Sequence, residues 1–270
     1  MQKILFVSDP HICVPGQRII GLDPSARLTQ VLEAAMMAHS DAAAMILLGD
    51  LTHHGAPQEY SELDRILAPV TLPIIPMLGN HDRREAFLAQ FPDAPLTSSG
   101  HVQTWRDIGD HRIITMDSLD GPPYPHGHHS GLLCPARLAF LEEALASRAG
   151  QHATVCIHHP PFETGVVGMD RIKLRNGSEV LDLLARHGNL HLVCGHLHQT
   201  ISGSTRDVPW TVFKSPCHQG VIELTRHSSN MSTNEVGAYG LGLLADDGLI
   251  IHSTDVGTGA LVFTDYSSHK

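Results

Sequence analysis

The chain has no long hydrophobic run, no paired cysteines and no excess of positive charge, and each absence removes a class of protein. Its apolar stretches, such as residues 42–48, fall far short of the roughly 20 residues that a transmembrane helix needs. Its five cysteines, Cys13, Cys134, Cys156, Cys194 and Cys217, are scattered without a CxxC pair. That argues against a disulfide framework and against a zinc ribbon. Cys156 and Cys194 fall in apolar, strand-like runs, where a free thiol behaves as a small hydrophobe. The formal net charge is −10, so the surface repels polyphosphate backbones and no nucleic-acid polymer is expected as partner. No internal repeat or low-complexity tract is present. The first strand-like run, residues 3–8, leads straight into a polar motif at Asp9. Cleaving a leader there would remove the motif, so the expectation is a cytoplasmic protein with no membrane partner.

What the chain does have is a core and many imidazoles. Hydrophobic residues make up 42% of its 270 positions, enough for one α/β domain of ordinary size. Histidine occurs 21 times, and neutral imidazole is both the commonest metal ligand and a near-neutral acid or base.

Strand-like and helix-like segments alternate over the first two-thirds. Strands are predicted at residues 3–8, 44–48, 74–78, 112–117, 154–157 and 190–193, by their Val, Ile and Leu content. Helices are predicted after Asp23-Pro24, at Pro57–Leu67, and at residues 83–91, 135–148 and 179–187. In the first of these Leu28, Val31, Leu32, Ala35 and Met36 recur at helical spacing behind a cap and a first-turn proline. The last third turns to strands at residues 210–214, 221–224, 239–244 and 249–254. Asp246-Asp247-Gly248 supplies a hairpin turn signal between the last two. The expectation is a single domain over residues 1–270, with a core to 225 and a C-terminal hairpin and tail over 226–270. Two loops rich in Gly, Pro or His, residues 121–131 and 164–177, stand out.

Four short motifs place polar residues directly after predicted strands. They are Asp9-Pro10-His11, Gly49-Asp50, Gly79-Asn80-His81-Asp82, and His158-His159 together with Gly195-His196-Leu197-His198. Strand C-terminal ends are where α/β sheets carry their sites. An isolated Asp-x-His or His-x-His arises often by chance. Five strand ends that each deliver Asp, Asn or His are hard to explain as packing.

The order D-x-H, GD, GNHD, H and GHxH resembles the signature of the calcineurin-like metallophosphoesterases, over residues 5–200. Within that superfamily the chain looks closest to the class III cyclic nucleotide phosphodiesterases and the bacterial glycerophosphodiesterases. The shared features are the Gly49–Tyr60 segment, Gly79-Asn80-His81-Asp82 with Arg84, and His158-His159-Pro160-Pro161. The resemblance implies a four-layer α/β/β/α sandwich, here with an antiparallel, β-rich C-terminal part. It also implies two divalent metal ions. One would take Asp9, His11, Asp50 and His198; the other Asp50, Asn80, His158 and His196. Oxygen and imidazole donors without thiolate suit Mn, Fe, Zn or Co. A shared carboxylate holds two ions roughly 3.5–4 Å apart, the spacing that clamps an in-line displacement at phosphorus. A water bound between them ionises near neutral pH and serves as nucleophile.

The implied activity is that of a metal-dependent phosphoric diester hydrolase, with a cyclic nucleotide as first choice of substrate and a glycerophosphodiester as second. A phosphomonoesterase or protein phosphatase is the rival, and Arg83 and Arg84 are the candidates for gripping a dianion. His81 is expected to serve the leaving group, with Asp82 orienting it unless Asp82 is a turn cap. His159 is a candidate supporting or substrate-binding group, and His218 a substrate-facing one. His53 and His54 follow Asp50 closely and could line the pocket, though a solvated loop is the first reading, and His126, His128 and His129 read as surface residues. Relatives suggest a homodimer or larger homo-oligomer.

Overall fold

The computed structural model describes residues 1–124, 129–225, 231–246 and 248–258. The chain first lays down β1 (Gln2–Val7), α1 (Pro24–His39), β2 (Ala44–Leu47), α2 (Pro57–Leu67), β3 (Ile74–Pro76) and α3 (Arg84–Gln90). It continues through β4 (Thr104–Ile108), β5 (His111–Met116), α4 (Pro135–Ala146), β6 (His152–Ile157), α5 (Val167–Asp170), α6 (Gly177–His187) and β7 (Leu190–Cys194). Then come β8 (Ile201–Thr205), β9 (Val208–Val212), β10 (Gln219–Gly220), β11 (Ser232–Thr233), β12 (Ala238–Ala245) and β13 (Gly248–Asp255). The starts of α1, α2 and α4 follow the predicted signals. Asp23 accepts a hydrogen bond from the Ala26 amide at 3.1 Å, and each of the three helices carries a proline in its first turn.

Two sheets face each other. The first runs β13-β12-β1-β2-β3 and the second β4-β5-β6-β7-β9-β8. β1, β2 and β3 are parallel, as are β5, β6, β7 and β9. The antiparallel pairs are β1 with β12, β12 with β13, β4 with β5, and β8 with β9. Successive side chains on a strand point to opposite faces, and the core divides accordingly. Ile4 and Phe6 of β1 join Ile46, Cys156, Val193 and Phe213 between the sheets. Leu5 and Val7 face outward into the layer of α1 and α2. Val155 and Ile157 face the other way, into the layer of α4 and α6. The result is the expected four-layer α/β/β/α sandwich.

The short edge elements differ from expectation. β4, β8 and α5 were not predicted; the two strands are short and largely polar, and α5 has only four residues. The strand predicted at 221–224 does not form. Ile222 and Leu224 are 57% and 59% exposed, and the Glu223 carbonyl accepts from the Val167 amide at the start of α5 rather than from a strand. The predicted C-terminal hairpin is β12–β13, which extends the first sheet through β1. Asp247 of its turn, residues 226–230 and residues 259–270 lie outside the described residues. The five cysteines are free.

Candidate metal centre and active site

The predicted metal-centre residues lie just past the C-terminal ends of parallel strands, and His218 lies six residues beyond β9. β1 leads into Asp9 and His11, β2 into Asp50, and β3 into Asn80 and His81. From the facing sheet, β6 leads into His158 and His159, and β7 into His196 and His198. Three donors form four hydrogen bonds that join the two sheets here. His196 donates its amide to both Asp9 carboxylate oxygens at 3.0 Å. Ser215 Oγ donates to the Asp9 carbonyl at 2.7 Å, and His158 Nδ1 to the Leu48 carbonyl at 2.8 Å.

The backbone is strained at the same places. Ten described non-glycine residues have positive φ, and five of them are Asp9, His11, Asp50, His196 and His198, at 54°, 48°, 47°, 73° and 53°. Each such conformation costs on the order of 1–2 kcal/mol for a residue with a Cβ, and such outliers concentrate at functional sites. Two glycines are required by close approach. A Cβ on Gly195 would stand 2.6 Å from Ser8 Oγ and 2.8 Å from Asp9 Oδ2, and one on Gly79 would collide with the Asp50 carboxylate.

The donor atoms fall into three groups, one of which, His11, His53 and His81, has imidazoles alone and lines the cavity; the other two meet at Asp50. Asp9, His11, Asp50 and His198 offer atoms that all lie within 4.8 Å of one another, and so do His158, His159 and His196. Asp50 Oδ2 stands between the groups, 3.6 Å from His11 Nε2 and 3.5 Å from His158 Nε2. Backbone carbonyls set the tautomers, because a carbonyl only accepts. His158 Nδ1–H donates to Leu48, and His198 Nδ1–H donates to the His218 carbonyl at 2.9 Å. When neutral, both rings therefore turn a bare Nε2 inward, the form that binds a metal.

Asn80 Oδ1, His158 Nε2 and His196 Nε2 are buried with no hydrogen-bond partner. Each costs on the order of 1–3 kcal/mol if left unpaired. Three orphaned donor atoms beside a shared carboxylate fit a divalent ion. Electrostatics agree. Burial pushes the Asp50 carboxyl up, but His158 and His81 outweigh it and hold it well below the usual carboxylate range. Burial pushes His158 down, yet the Asp50 and Asp9 carboxylates outweigh it and raise it to about 9. The carboxylates thus attract positive charge into the site.

Two expectations need correction. Asp82 does not orient the His81 ring. Its two oxygens accept from the amides of Leu51, Thr52 and Gly79 and from the hydroxyls of Thr52 and Tyr60, at 2.9–3.2 Å. It is a buried knot that ties the loops after β2 and β3, and burial raises its carboxyl to about 6. The His81 ring is held instead by the His53 carbonyl, which accepts from Nδ1 at 2.7 Å. His159 is not a substrate-contacting group either. It is fully buried, and both ring nitrogens are engaged, with Ser118 Oγ at 2.8 Å and the His129 carbonyl at 3.1 Å.

A cavity of about 230 Å³ opens over the centre, lined by His11, Asp50, Asn80, His81, His196, His198 and His218 among others. His53, in the loop after β2, and His129, at the surface, line it too. His53 Nδ1 lies 3.3 Å from His11 Nδ1, and His129 Nδ1 lies 3.1 Å from Asn80 Nδ2. Their rings lie near-parallel to His81, with centroids at 5.3 and 5.5 Å. Only the closeness of His53 to Asp50 in sequence hinted at this; nothing local marks His129. His126 and His128 lie outside the described residues. Arg83 and Arg84 turn away. Arg84 pairs with Asp117 at 2.8 Å, and Arg83 donates to the Asp82 carbonyl and lies over the Tyr124 ring.

A four-layer sandwich with Asp, Asn and His groups at facing strand ends defines a metal-dependent phosphoesterase. The chain belongs to the calcineurin-like phosphoesterase family, whose model matches residues 2–200. It is 38% identical to a probable cyclic nucleotide phosphodiesterase of Rhodopseudomonas palustris, over 93% of this chain and 91% of that protein. It is 29% identical to a glycerophosphodiester phosphodiesterase of Enterobacter lignolyticus, over 79% of each chain. Among solved structures it superposes on a dimetal phosphatase from Danio rerio with a TM-score of 0.71 at 11% identity, covering 94% of this chain and 96% of the other. No helix of the described residues is long and apolar enough to cross a membrane.

Proposed function

We propose that the chain hydrolyses a small phosphodiester, a 3′,5′-cyclic nucleotide before a glycerophosphodiester, at a centre of two divalent ions. Asp9, His11, Asp50 and His198 would hold one ion, and Asp50, Asn80, His158 and His196 the other. When bound, the ions supply a Lewis acid for the phosphoryl oxygens and lower the pKa of water for attack at phosphorus. His81 presents Nε2 to the cavity, because its Nδ1–H is committed to the His53 carbonyl. From there it delivers a proton to the departing alkoxide, and His218 steadies the ester from the cavity wall.

The observation that carries the diester assignment is the absence of a cationic clamp. Among the described residues, no lysine or arginine lines the cavity. A monoester dianion would gain an Arg or Lys contact in the transition state of a monoesterase; a diester monoanion does not need one. The name of the Rhodopseudomonas relative supports the cyclic nucleotide over the glycerophosphodiester. The test uses two substrates with one leaving group. The value of kcat/KM for bis(p-nitrophenyl) phosphate is expected to exceed that for p-nitrophenyl phosphate at least tenfold, about 1.4 kcal/mol of differential stabilisation. A ratio near or below one makes the protein a phosphomonoesterase.

A further inference from the structure

The cavity over the metal centre has a second lining of different chemistry. Met169, Ile172, Leu197 and Met231 join the imidazoles in enclosing it. A recess of about 20 Å³ continues from it, lined by Val166, Met169, Leu197, Val221 and Met231 among others. The backbone segments that carry Met169 and Met231 are tied down before any ligand arrives. The α5 segment that carries Met169 is tied down by Asp170, whose carboxylate accepts from the Thr164 amide at 2.8 Å, Thr164 Oγ1 at 2.9 Å and the Gly165 amide at 3.0 Å. The backbone at Met231 is anchored by its carbonyl, which accepts from the Val221 amide at 3.1 Å. A wall fixed in advance spends little binding free energy on ordering itself.

The charge pattern narrows the ligand. Among the described lining residues the single formally charged side chain is Asp50, and it belongs to the metal centre. A cationic alcohol such as ethanolamine or choline would find no free carboxylate, and a polyol would leave hydroxyls against thioether and aliphatic carbon. A flat uncharged ring loses little and gains apolar contact.

We propose that Met169, Ile172, Leu197 and Met231 form a subsite for the heterocyclic base of a cyclic nucleotide, gripping it by its faces rather than reading its edges. This rests on the phosphodiesterase reading. Because thioether and aliphatic groups carry no edge-specific hydrogen bonds, the subsite separates nucleotides from base-free diesters but adenine poorly from guanine.

The test compares 3′,5′-cyclic AMP, 3′,5′-cyclic GMP and the ribose 3′,5′-cyclic phosphate that lacks a base, on the metal-loaded enzyme. The wild type is expected to favour cyclic AMP over the base-free ester by about tenfold in kcat/KM, carried by KM, with cyclic GMP within about threefold of cyclic AMP. Met169→Ala and Met231→Ala should each lower the ratio of cyclic AMP to base-free ester. Two positions on separate segments keep the test valid if one variant misfolds. A wild-type ratio near one, ratios unmoved by both variants, or more than tenfold discrimination between the purines would each overturn the subsite and leave the phosphodiesterase reading intact. Failure to turn over any of the three cyclic diesters would remove both.

Discussion

Histidines occur at both ends of the second sheet, and the two that the carboxylates hold most strongly, His158 and His198, shift in the opposite direction to His152 and His191 at the other end. At the strand C-terminal ends, His158 faces Asp50 and Asp9, and the carboxylates overcome burial to raise it to about 9. At the strand N-terminal ends, His152 pairs in register with His111 of β5, with ring centroids 4.9 Å apart. Burial takes His152 down to about 4, and His111, His191 and Arg148 all push the same way. His191 of β7 falls to about 4 through burial alone. The imidazole is the same group at both ends; the carboxylate opposite it differs. A desolvated imidazole with no acid to face stays neutral and packs. One facing an acid keeps an affinity for positive charge, which is what a metal centre exploits.

The comparison breaks hardest at Asp50, the carboxylate that both donor groups share. Asp50→Ala should empty both metal positions and lower activity by on the order of 10³–10⁴-fold, as expected for the loss of several kcal/mol of transition-state stabilisation. Metal analysis after dialysis checks it, and a full pair of ions in that variant would sink the assignment. His152→Gln, at the other end of the same sheet, should keep both ions.

The next effect in size belongs to His81, which serves the reaction without holding a metal. His81→Ala should lower kcat by roughly 10²–10⁴-fold while metal content stays constant. The loss should shrink on nitrophenyl esters, whose leaving groups need little protonation. An equal loss on activated and unactivated esters would count against the role.

How much of this could be read from the sequence differs between strand ends and loops. The alternation of strands and helices was legible because buried parallel strands are continuous apolar runs and the helices opened on Asp23-Pro24, Pro57 and Pro135. The metal-centre residues were legible because each follows such a run within a few positions. Their left-handed backbone was not, because Asp9 or His196 in isolation has no reason to adopt positive φ. The knot around Asp82 was invisible for a related reason: its five donors come from three separate segments, brought together by packing. His129, Met231 and the four-residue α5 that carries Met169 sit at places that depend on long-range contacts, such as Val167 to Glu223, that leave no periodic trace in the sequence.

The smallest expected effect sharpens the comparison from its quiet end. His152 has a folded pKa of about 4 against roughly 6.5 unfolded. Above pH 6.5 the ring is neutral in both states, and its contribution to stability is fully present. As the pH falls from 6.5 towards 4 the unfolded chain takes up a proton that the folded one refuses, so stability declines over that window. The full shift would remove about 2 kcal/mol at pH 5, and because the ring is only partly buried, roughly half of that is expected. His152→Gln cannot titrate and should lose about 1 kcal/mol less than the wild type between pH 7 and pH 5, measured by urea unfolding of both proteins stripped of metal. Stripping matters, because acid also displaces ions from the other end of the sheet. Taking the difference between variant and wild type cancels the titration of the metal-centre residues, which both proteins share. If the two proteins lose stability in parallel, His152 is solvated or paired in a way that burial between β5 and β7 does not predict, and the contrast between the two ends of the sheet loses its electrostatic basis.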